Sequence, residues 1–165
     1  MKLRALEPED LDLLYTIEND TEHWDTSSTN VPYSRYALRD YLANQSHDIF
    51  IDRQVRLVIV SDEGEAVGLL DLFNFCPEHN RAELGIAMLR KHRGKGYGIK
   101  AVALLIQYAR DTMHLHQLVA VVAESNLASR KLMSDAGFAK VSVLNDWLFT
   151  SEGYQNAILL QKILS

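Results

Sequence analysis

Three glycines stand close together in this chain, Gly94, Gly96 and Gly98, between an apolar run and a helical pattern. Glycine lets the backbone adopt positive φ and approach a ligand without a Cβ in the way. The free N–H groups at the start of a helix attract phosphate. The stretch from Arg93 to Gly98 therefore predicts a phosphate-binding loop, and the alternative is a basic turn that begins a helix.

The spacing of these glycines excludes two common phosphate motifs. A P-loop needs a glycine followed after four residues by Gly-Lys-Ser/Thr, and a dinucleotide fingerprint needs Gly-x-Gly-x-x-Gly. Here Gly98 is followed by Ile99, Lys100 and Ala101. Neither motif is present, so the loop must belong to another class of phosphate site.

Length and composition narrow the class of protein. A chain of 165 residues fits one domain, 1–165, which can bury about 70% of its unfolded surface. We expect a cytoplasmic protein without a membrane partner, because no apolar run approaches ~20 residues and Met1 to Arg4 leads into charged residues rather than a signal peptide. The net charge of −5 argues against nucleic acid as a partner and weakly favours a cationic substrate. The single cysteine, Cys76, excludes a disulfide framework and a Cys-rich zinc site, and we expect no metal.

Hydrophobic periodicity predicts a mixed α/β chain with the order β-α-α-β-β-β-α-β-α-β-β. The first half is expected to be antiparallel, and the second half to contain a strand-helix-strand unit. A polar stretch, 21–32, is expected to be a loop. The predicted strands are 3–6, 54–61, 66–74, 81–89, 117–122, 139–148 and 154–164, and the predicted helices are 7–19, 34–44, 99–113 and 126–136.

Four separated segments fit one family pattern. The loop from Arg93 to Gly98 matches Gln/Arg-x-x-Gly-x-Gly/Ala, and the stretch from Asn126 to Phe138 matches a second signature that begins with Asn and ends with Gly-Phe. The opening from Arg4 to Leu11 and the segment from Gly153 to Asn156 add two more. Together they resemble the GNAT superfamily of N-acetyltransferases, and most closely its spermidine and ribosomal-protein N-acetyltransferase-like branch.

The resemblance implies a fold and an activity. The fold would be the acyl-CoA N-acyltransferase fold, with a central, mostly antiparallel, twisted sheet of about seven strands flanked by helices. The activity would be direct transfer of an acetyl group from acetyl-CoA to a primary amine, either a small polyamine-like amine or a peptide or protein N-terminus. The family often dimerises, so a homodimer is among the partners that the resemblance allows.

The resemblance also assigns residues to the cosubstrate. Backbone N–H groups of the loop would hold the pyrophosphate, with Arg93 and Lys95 adding charge. The strand before the loop would pair with the pantetheine arm, and Asn126 would hydrogen-bond it, unless that residue acts only as a helix N-cap. The full set is Ile86, Ala87, Met88, Arg93, Gly94, Lys95, Gly96, Tyr97, Gly98, Ile99, Asn126 and Ser129.

The catalytic groups are less clear. Glu83 matches a carboxylate position that is common in this branch and would remove the amine proton through one or two waters, or it is a strand-end glutamate paired with Arg81 or Lys91. Many members carry a tyrosine as general acid where this chain has Met133, which donates no proton. Three outcomes remain open: a hydroxyl of Tyr97, Ser129 or Tyr154 serves instead, the thiolate leaves aided by water, or the chain is a non-catalytic or weakly catalytic CoA-binding or sensory module.

The acceptor site is the part of the protein that the sequence predicts least well. Acidic residues near the polar stretch, Asp20, Glu22 and Asp25, would line an amine pocket or be only solvated. Polyamine acetyltransferases of this branch often carry paired acids before the Pro-Tyr of this stretch. No acid immediately precedes Pro32 and Tyr33 here, which disfavours a polyamine acceptor.

Overall fold

The computed structural model describes residues 1–24 and 31–164. Seven strands and six α-helices make up the described chain, with short 3-10 turns at Pro8–Asp10, Pro77–His79 and Arg90–His92. The strands are Lys2–Ala5 (β1), Val55–Val60 (β2), Ala66–Cys76 (β3), Arg81–Met88 (β4), Gln117–Ala123 (β5), Ala139–Thr150 (β6) and Gly153–Ile163 (β7). The helices are Leu11–Glu18 (α1), Thr21–Trp24 (α2), Arg35–Ala43 (α3), Ile49–Asp52 (α4), Tyr97–Asp111 (α5) and Leu127–Asp135 (α6).

All seven strands form one sheet in the order β1-β2-β3-β4-β5-β7-β6. Neighbouring strands are antiparallel except β4 and β5, which are parallel. A parallel pair needs a long crossover, and α5 supplies it. The predicted fold class, a mostly antiparallel seven-stranded sheet flanked by helices, is confirmed.

The two faces of the sheet carry separate apolar cores. The larger core joins the sheet to α5 and α6, and the smaller core joins it to α1 and α3. Side chains alternate along a strand. On β4, Leu84 and Ile86 therefore pack with the larger core, while Ala87 and Leu89 beyond it pack with the smaller one. This central strand reaches both faces.

Local chemistry explains where several helices begin. The Ser34 hydroxyl accepts a hydrogen bond from the Ala37 N–H at 3.0 Å, which confirms the predicted N-cap of α3. Helix α5 begins two residues before its predicted start and buries one face against the sheet through Ala101, Val102, Leu105 and Ala109.

Two short helices differ from the sequence prediction. Residues 21–24 of the expected loop form α2, and 25–30 lie outside the described residues. Helix α4 is a single turn capped by Asp48, whose Oδ1 accepts from the Phe50 N–H at 2.8 Å. One turn is too short to show a 3.6-residue period. Among the described helices, none is long and apolar enough to cross a membrane.

Candidate active site

The central feature of the site is a divergence between β4 and β5. The two strands pair only at Arg81 with Gln117, Ala82 with Leu118 and Glu83 with Val119. Beyond that point β4 stays paired with β3, and β5 stays paired with β7. The sheet therefore opens into a V whose two inner edges carry backbone groups with no strand between them.

The geometry of β4 tells which backbone groups face the V. The Leu89 N–H donates to the Val67 carbonyl at 3.0 Å, on the β3 side. Because successive N–H groups alternate along an extended strand, those of Ile86 and Met88 face the opposite side. The inner edge of β4 is therefore open, as pairing with an extended ligand requires. The individual contacts with such a ligand stay predictions.

The glycine loop lies at the end of β4 and begins α5. Gly94 and Gly96 have φ of +73° and +78°, the left-handed region that glycine tolerates best. Gly96 is the N-cap of α5 and offers no side chain to the first-turn N–H groups. A Cβ at either glycine would meet no protein atom within 4 Å, so the backbone faces open space. This arrangement suits an anion at the helix N-terminus.

Three elements meet around the first turn of α5. A Cβ placed on Gly98 would lie 3.4 Å from Leu132 Cδ2 on α6 and 3.8 Å from Ile86 Cδ1 on β4. Asn126 begins α6, and its Oδ1 accepts from the Ser129 N–H at 3.0 Å. The N-cap interpretation of Asn126 is therefore confirmed, and a contact between its exposed side chain and a ligand stays a prediction.

Arg93 and Lys95 behave differently in this loop. Lys95 is exposed. The Arg93 guanidinium donates to Glu22 Oε2 at 2.7 Å, to Asp20 Oδ2 at 3.1 Å and to the Met88 carbonyl at 3.1 Å. Its predicted role as a phosphate ligand would require it to exchange these partners.

Glu83 lies on the opposite face of β4 from α5, where α1 and α3 pack. Its Oε2 accepts from Asn74 Nδ2 at 3.0 Å. Within the described residues it forms no ion pair with Arg81 or Lys91, so that alternative is wrong. Beside it, Gly85 leaves a gap covered by Phe73, whose Cε1 would lie 3.2 Å from a Cβ on that glycine.

A cluster of charges lies on the same face of the sheet. Arg56 binds Asp71 through two hydrogen bonds of 2.8 and 2.9 Å and binds Glu18 at 2.5 Å. Asp71 is the cross-strand partner of Gly85, which places it diagonally opposite Glu83. The Cα atoms of such diagonal neighbours lie roughly 7–8 Å apart. Two carboxylates share one guanidinium, so this cluster keeps a net negative charge before Glu83 is counted.

The same cluster shifts two pKa values. Burial by itself would lower the pKa of Arg56, but the charges and hydrogen bonds of Asp71 and the charge of Glu18 outweigh it and raise that pKa above its ordinary value. Burial raises the pKa of the Tyr41 hydroxyl; the Arg56 charge opposes this shift, and the charges of Asp71 and Glu18 add to it. Arg56 therefore stays charged and Tyr41 stays protonated across the physiological range.

A comparison with known families identifies the chain. A model described as the acetyltransferase (GNAT) domain matches residues 1–139. The chain belongs to the GNAT acetyltransferase family. It is 28% identical over 162 residues to the spermidine N(1)-acetyltransferase of Escherichia coli, a match that covers 96% of this chain and 83% of that relative. The predicted enzyme class, an N-acetyltransferase, is confirmed, and these relatives favour it over the non-catalytic alternative.

Solved structures agree on the acetyltransferase fold. A spermidine N-acetyltransferase from Vibrio cholerae, in complex with CoA and spermine, superposes with a TM-score of 0.90 at 22% identity and covers 99% of this chain and 95% of that one. A dodecameric structure of spermidine N-acetyltransferase from the same organism, in an intermediate state, gives a TM-score of 0.84 at 25% identity, with 99% and 94% covered.

The acetyltransferase has no general acid at the usual tyrosine position. Met133 is 2% exposed and packs in the larger core. Tyr97 begins α5 and packs edge-on against His92, with ring centroids 5.9 Å apart. Tyr154 is exposed next to Phe149 on the β6–β7 hairpin, beyond the end of β5 and thus on the open side of the V. Which hydroxyl serves as acid stays a prediction.

Sequence reasoning misses the side chains that distant segments contribute. The pattern indicates Arg56 and Asp71 only as strand residues and Glu18 only as part of a helix. Asp20 and Glu22 are expected to line an amine pocket or to be solvated, whereas they pair with Arg90 and Arg93; Asp25 lies outside the described residues. An arginine in an otherwise apolar strand is the one available signal for the Arg56 cluster. In the described ranges, 1–24 and 31–164, no three His, Cys, Asp or Glu side chains are grouped to hold a metal.

Proposed function

We propose that this acetyltransferase moves the acetyl group of acetyl-CoA to a primary amine of a polyamine. The observation that carries the proposal is the V between β4 and β5. It has a glycine-lined helix N-terminus at one end and an acidic face on the side away from α5. A thioester placed in the V would meet an amine approaching from the acidic face.

The donor half relies on backbone groups. The first-turn N–H groups of α5 would hold the pyrophosphate, and a lysine at position 95 would add positive charge. The N–H groups of Ile86 and Met88 would pair with the pantetheine arm and lie close enough to polarise the thioester carbonyl. Apart from the charge of Lys95, these roles use backbone groups, and an anion site followed by an open strand edge fits the pyrophosphate and pantetheine of acetyl-CoA.

The acceptor half relies on charge. A polyamine is cationic at neutral pH, and the excess of carboxylates around Arg56 favours its approach. The attacking nitrogen must lose a proton, and Glu83 would accept it directly or through water. Relatives named for spermidine support this acceptor, whereas the missing acids before Pro32 and Tyr33 indicate that its recognition differs in detail.

The last step of the proposed reaction is departure of the CoA thiolate, which a proton donor would assist. The amine nitrogen forms a bond to the carbonyl carbon, and the carbon–sulfur bond breaks to release CoA thiolate. A hydroxyl of Tyr97, Ser129 or Tyr154, or water, would protonate that sulfur. Proton donation typically contributes 10²- to 10⁴-fold, so losing the usual tyrosine lowers the rate without abolishing a bound and oriented reaction.

The test combines binding and turnover. Calorimetry should show CoA binding to the purified chain, and release of free thiol from acetyl-CoA should be fastest with spermidine or spermine among polyamines, aminoglycosides and peptide N-termini. Turnover with peptide N-termini alone would show that the acceptor is a peptide amine and not a polyamine. CoA binding without turnover on any amine would contradict the proposal. A homodimer and a cytoplasmic location stay predictions.

A further inference from the structure

An ion-pair cluster ties the first two helices to the phosphate loop. Asp20, just after α1, accepts from Arg90 at 2.6 and 3.1 Å and from Arg93 at 3.1 Å. Glu22 on α2 pairs with Arg90 at 3.1 Å and with Arg93 at 2.7 Å. Two arginines are thus paired with two carboxylates that lie about seventy residues away in sequence.

These carboxylates occupy groups that a phosphate would use. Guanidinium binds carboxylate and phosphate with the same forked geometry, so the two compete for one arginine. Arg93 is the first residue of the glycine loop, and its Nε also donates to the Met88 carbonyl, at the end of β4. The side chain of Asp20 is only 11% exposed, so water screens its charge incompletely.

The cluster continues to the acceptor face through bonded neighbours. Asn19, next to Asp20, donates to the Tyr33 carbonyl at 3.0 Å and accepts from the Tyr33 N–H at 2.8 Å. Glu18, one residue earlier, binds Arg56 and through it Asp71. Ion pairs at both ends of the 18–20 backbone segment therefore connect the phosphate loop to the charges beside Glu83.

The cluster also borders a cavity on the face of the sheet where α1 packs. This cavity, of about 700 Å³, lies between α1 and the end of β4. Its lining includes Asp20 and Thr21 from the α1–α2 segment, Arg90 beyond β4, and the apolar side chains of Ile17 and Leu89. The position of the α1–α2 segment, which the ion pairs fix, thus determines part of the cavity wall.

We propose that Asp20 and Glu22 are positioning residues that act through Arg90 and Arg93 and couple the donor and acceptor halves. The two acids hold the α1–α2 segment, and with it Glu18 beside Arg56, and compete with the donor phosphates for the arginines. This inference rests on the proposed function. By linkage, a donor phosphate that takes Arg93 weakens the hold on that segment by the same factor.

The test is the variant Asp20→Asn/Glu22→Gln in the full chain. Calorimetry should give a Kd for CoA about two- to fivefold lower than wild type, since ion pairs that water partly screens typically contribute about that much. Steady-state kinetics should give an amine KM raised by a similar factor, with a smaller change in kcat. A purely structural role would weaken both interactions, so opposite signs are the decisive result.

A matched control removes two charges elsewhere. Glu63→Gln/Asp111→Asn changes the net charge equally, at the exposed β2–β3 turn and at the far end of α5. Its CoA affinity should equal that of wild type. Equal tightening in this control would assign the effect to net charge and overturn the proposal.

The remaining outcomes are also informative. If the double variant does not fold, Glu22→Gln alone gives the same measurement with a smaller shift, because this carboxylate is 54% exposed. Unchanged or weaker CoA binding in the folded variant overturns the coupling. Failure of the wild-type chain to bind CoA overturns the proposed function instead, so the two failures are distinguishable.

Discussion

The proposed donor and acceptor halves of the site come from different parts of the chain. The donor half would use backbone groups of one continuous stretch, from Ile86 through the first turn of α5, together with the start of α6. The acceptor half would use side chains from α1, β2, β3 and β4, which the fold brings together. A site made of backbone groups tolerates many side chains but few changes of backbone conformation. A charge cluster instead depends on which side chains are present.

The largest effect is expected at the boundary of the two halves. Glu83→Gln should lower kcat about 10²- to 10⁴-fold, because it removes the proposed base, while the Kd for CoA stays unchanged. Thiol-release kinetics and calorimetry measure the two quantities. If the variant keeps most of the wild-type kcat, another group is the base, and Glu83 does not belong to the acceptor half.

A smaller effect tests the backbone character of the donor half. Gly96→Ala should raise the Kd for CoA roughly tenfold, about 1.4 kcal/mol, because the new Cβ projects into the space where phosphate would lie. The added side chain also strains a residue at φ +78°, at a cost of about 1–2 kcal/mol in folding stability.

The β2–β3 turn supplies a matched control for that glycine. Gly64 has φ +86° and, like Gly96, has open space where a Cβ would lie. Gly64→Ala should therefore lose similar folding stability in urea titrations and keep its CoA affinity. Equal loss of CoA affinity in both variants would mean that general destabilisation, not the donor loop, is being measured.

The last comparison concerns stability rather than binding or rate, and it separates the pH limit of the fold from that of the chemistry. Hydrogen bonds from Arg4, at 2.6 and 2.8 Å, hold the pKa of Asp10 below its usual range, and the Glu7 N–H adds to the effect. A lowered carboxyl pKa stabilises the fold above the unfolded value near 4 and loses that stabilisation as the pH falls through the folded value.

Asp10→Asn should accordingly cost about 1–3 kcal/mol in the free energy of unfolding at pH 7. The difference from wild type should narrow below about pH 4. Urea titrations at about pH 7, 5 and 3.5 measure it. A difference that is constant across these values would show that the carboxylate charge of Asp10 does not contribute, and any acid loss of activity would then need another explanation.

The same contrast explains what the sequence can predict. Glycine spacing, strand alternation and the helix pattern after Gly98 are local, so the glycine loop and the order of strands and helices along the chain can be predicted from the sequence. The partners of Arg56 and of Arg93 depend on contacts between residues far apart in the chain. No local pattern reports such contacts, and Asp20 and Glu22 therefore look like pocket or solvent residues in the sequence alone. Helix α4 escapes prediction because one turn has no periodicity.

The three-residue pairing of β4 and β5 has a consequence for the stability of the sheet. It divides the hydrogen-bond ladder into a block of β1 to β4 and a block of β5, β7 and β6, while the larger apolar core spans both. Amide hydrogen exchange should then report two cooperative units, with the inner edges of the V exchanging first. An opening between the blocks would separate few hydrogen bonds, and the larger core that spans both blocks would limit how far it goes.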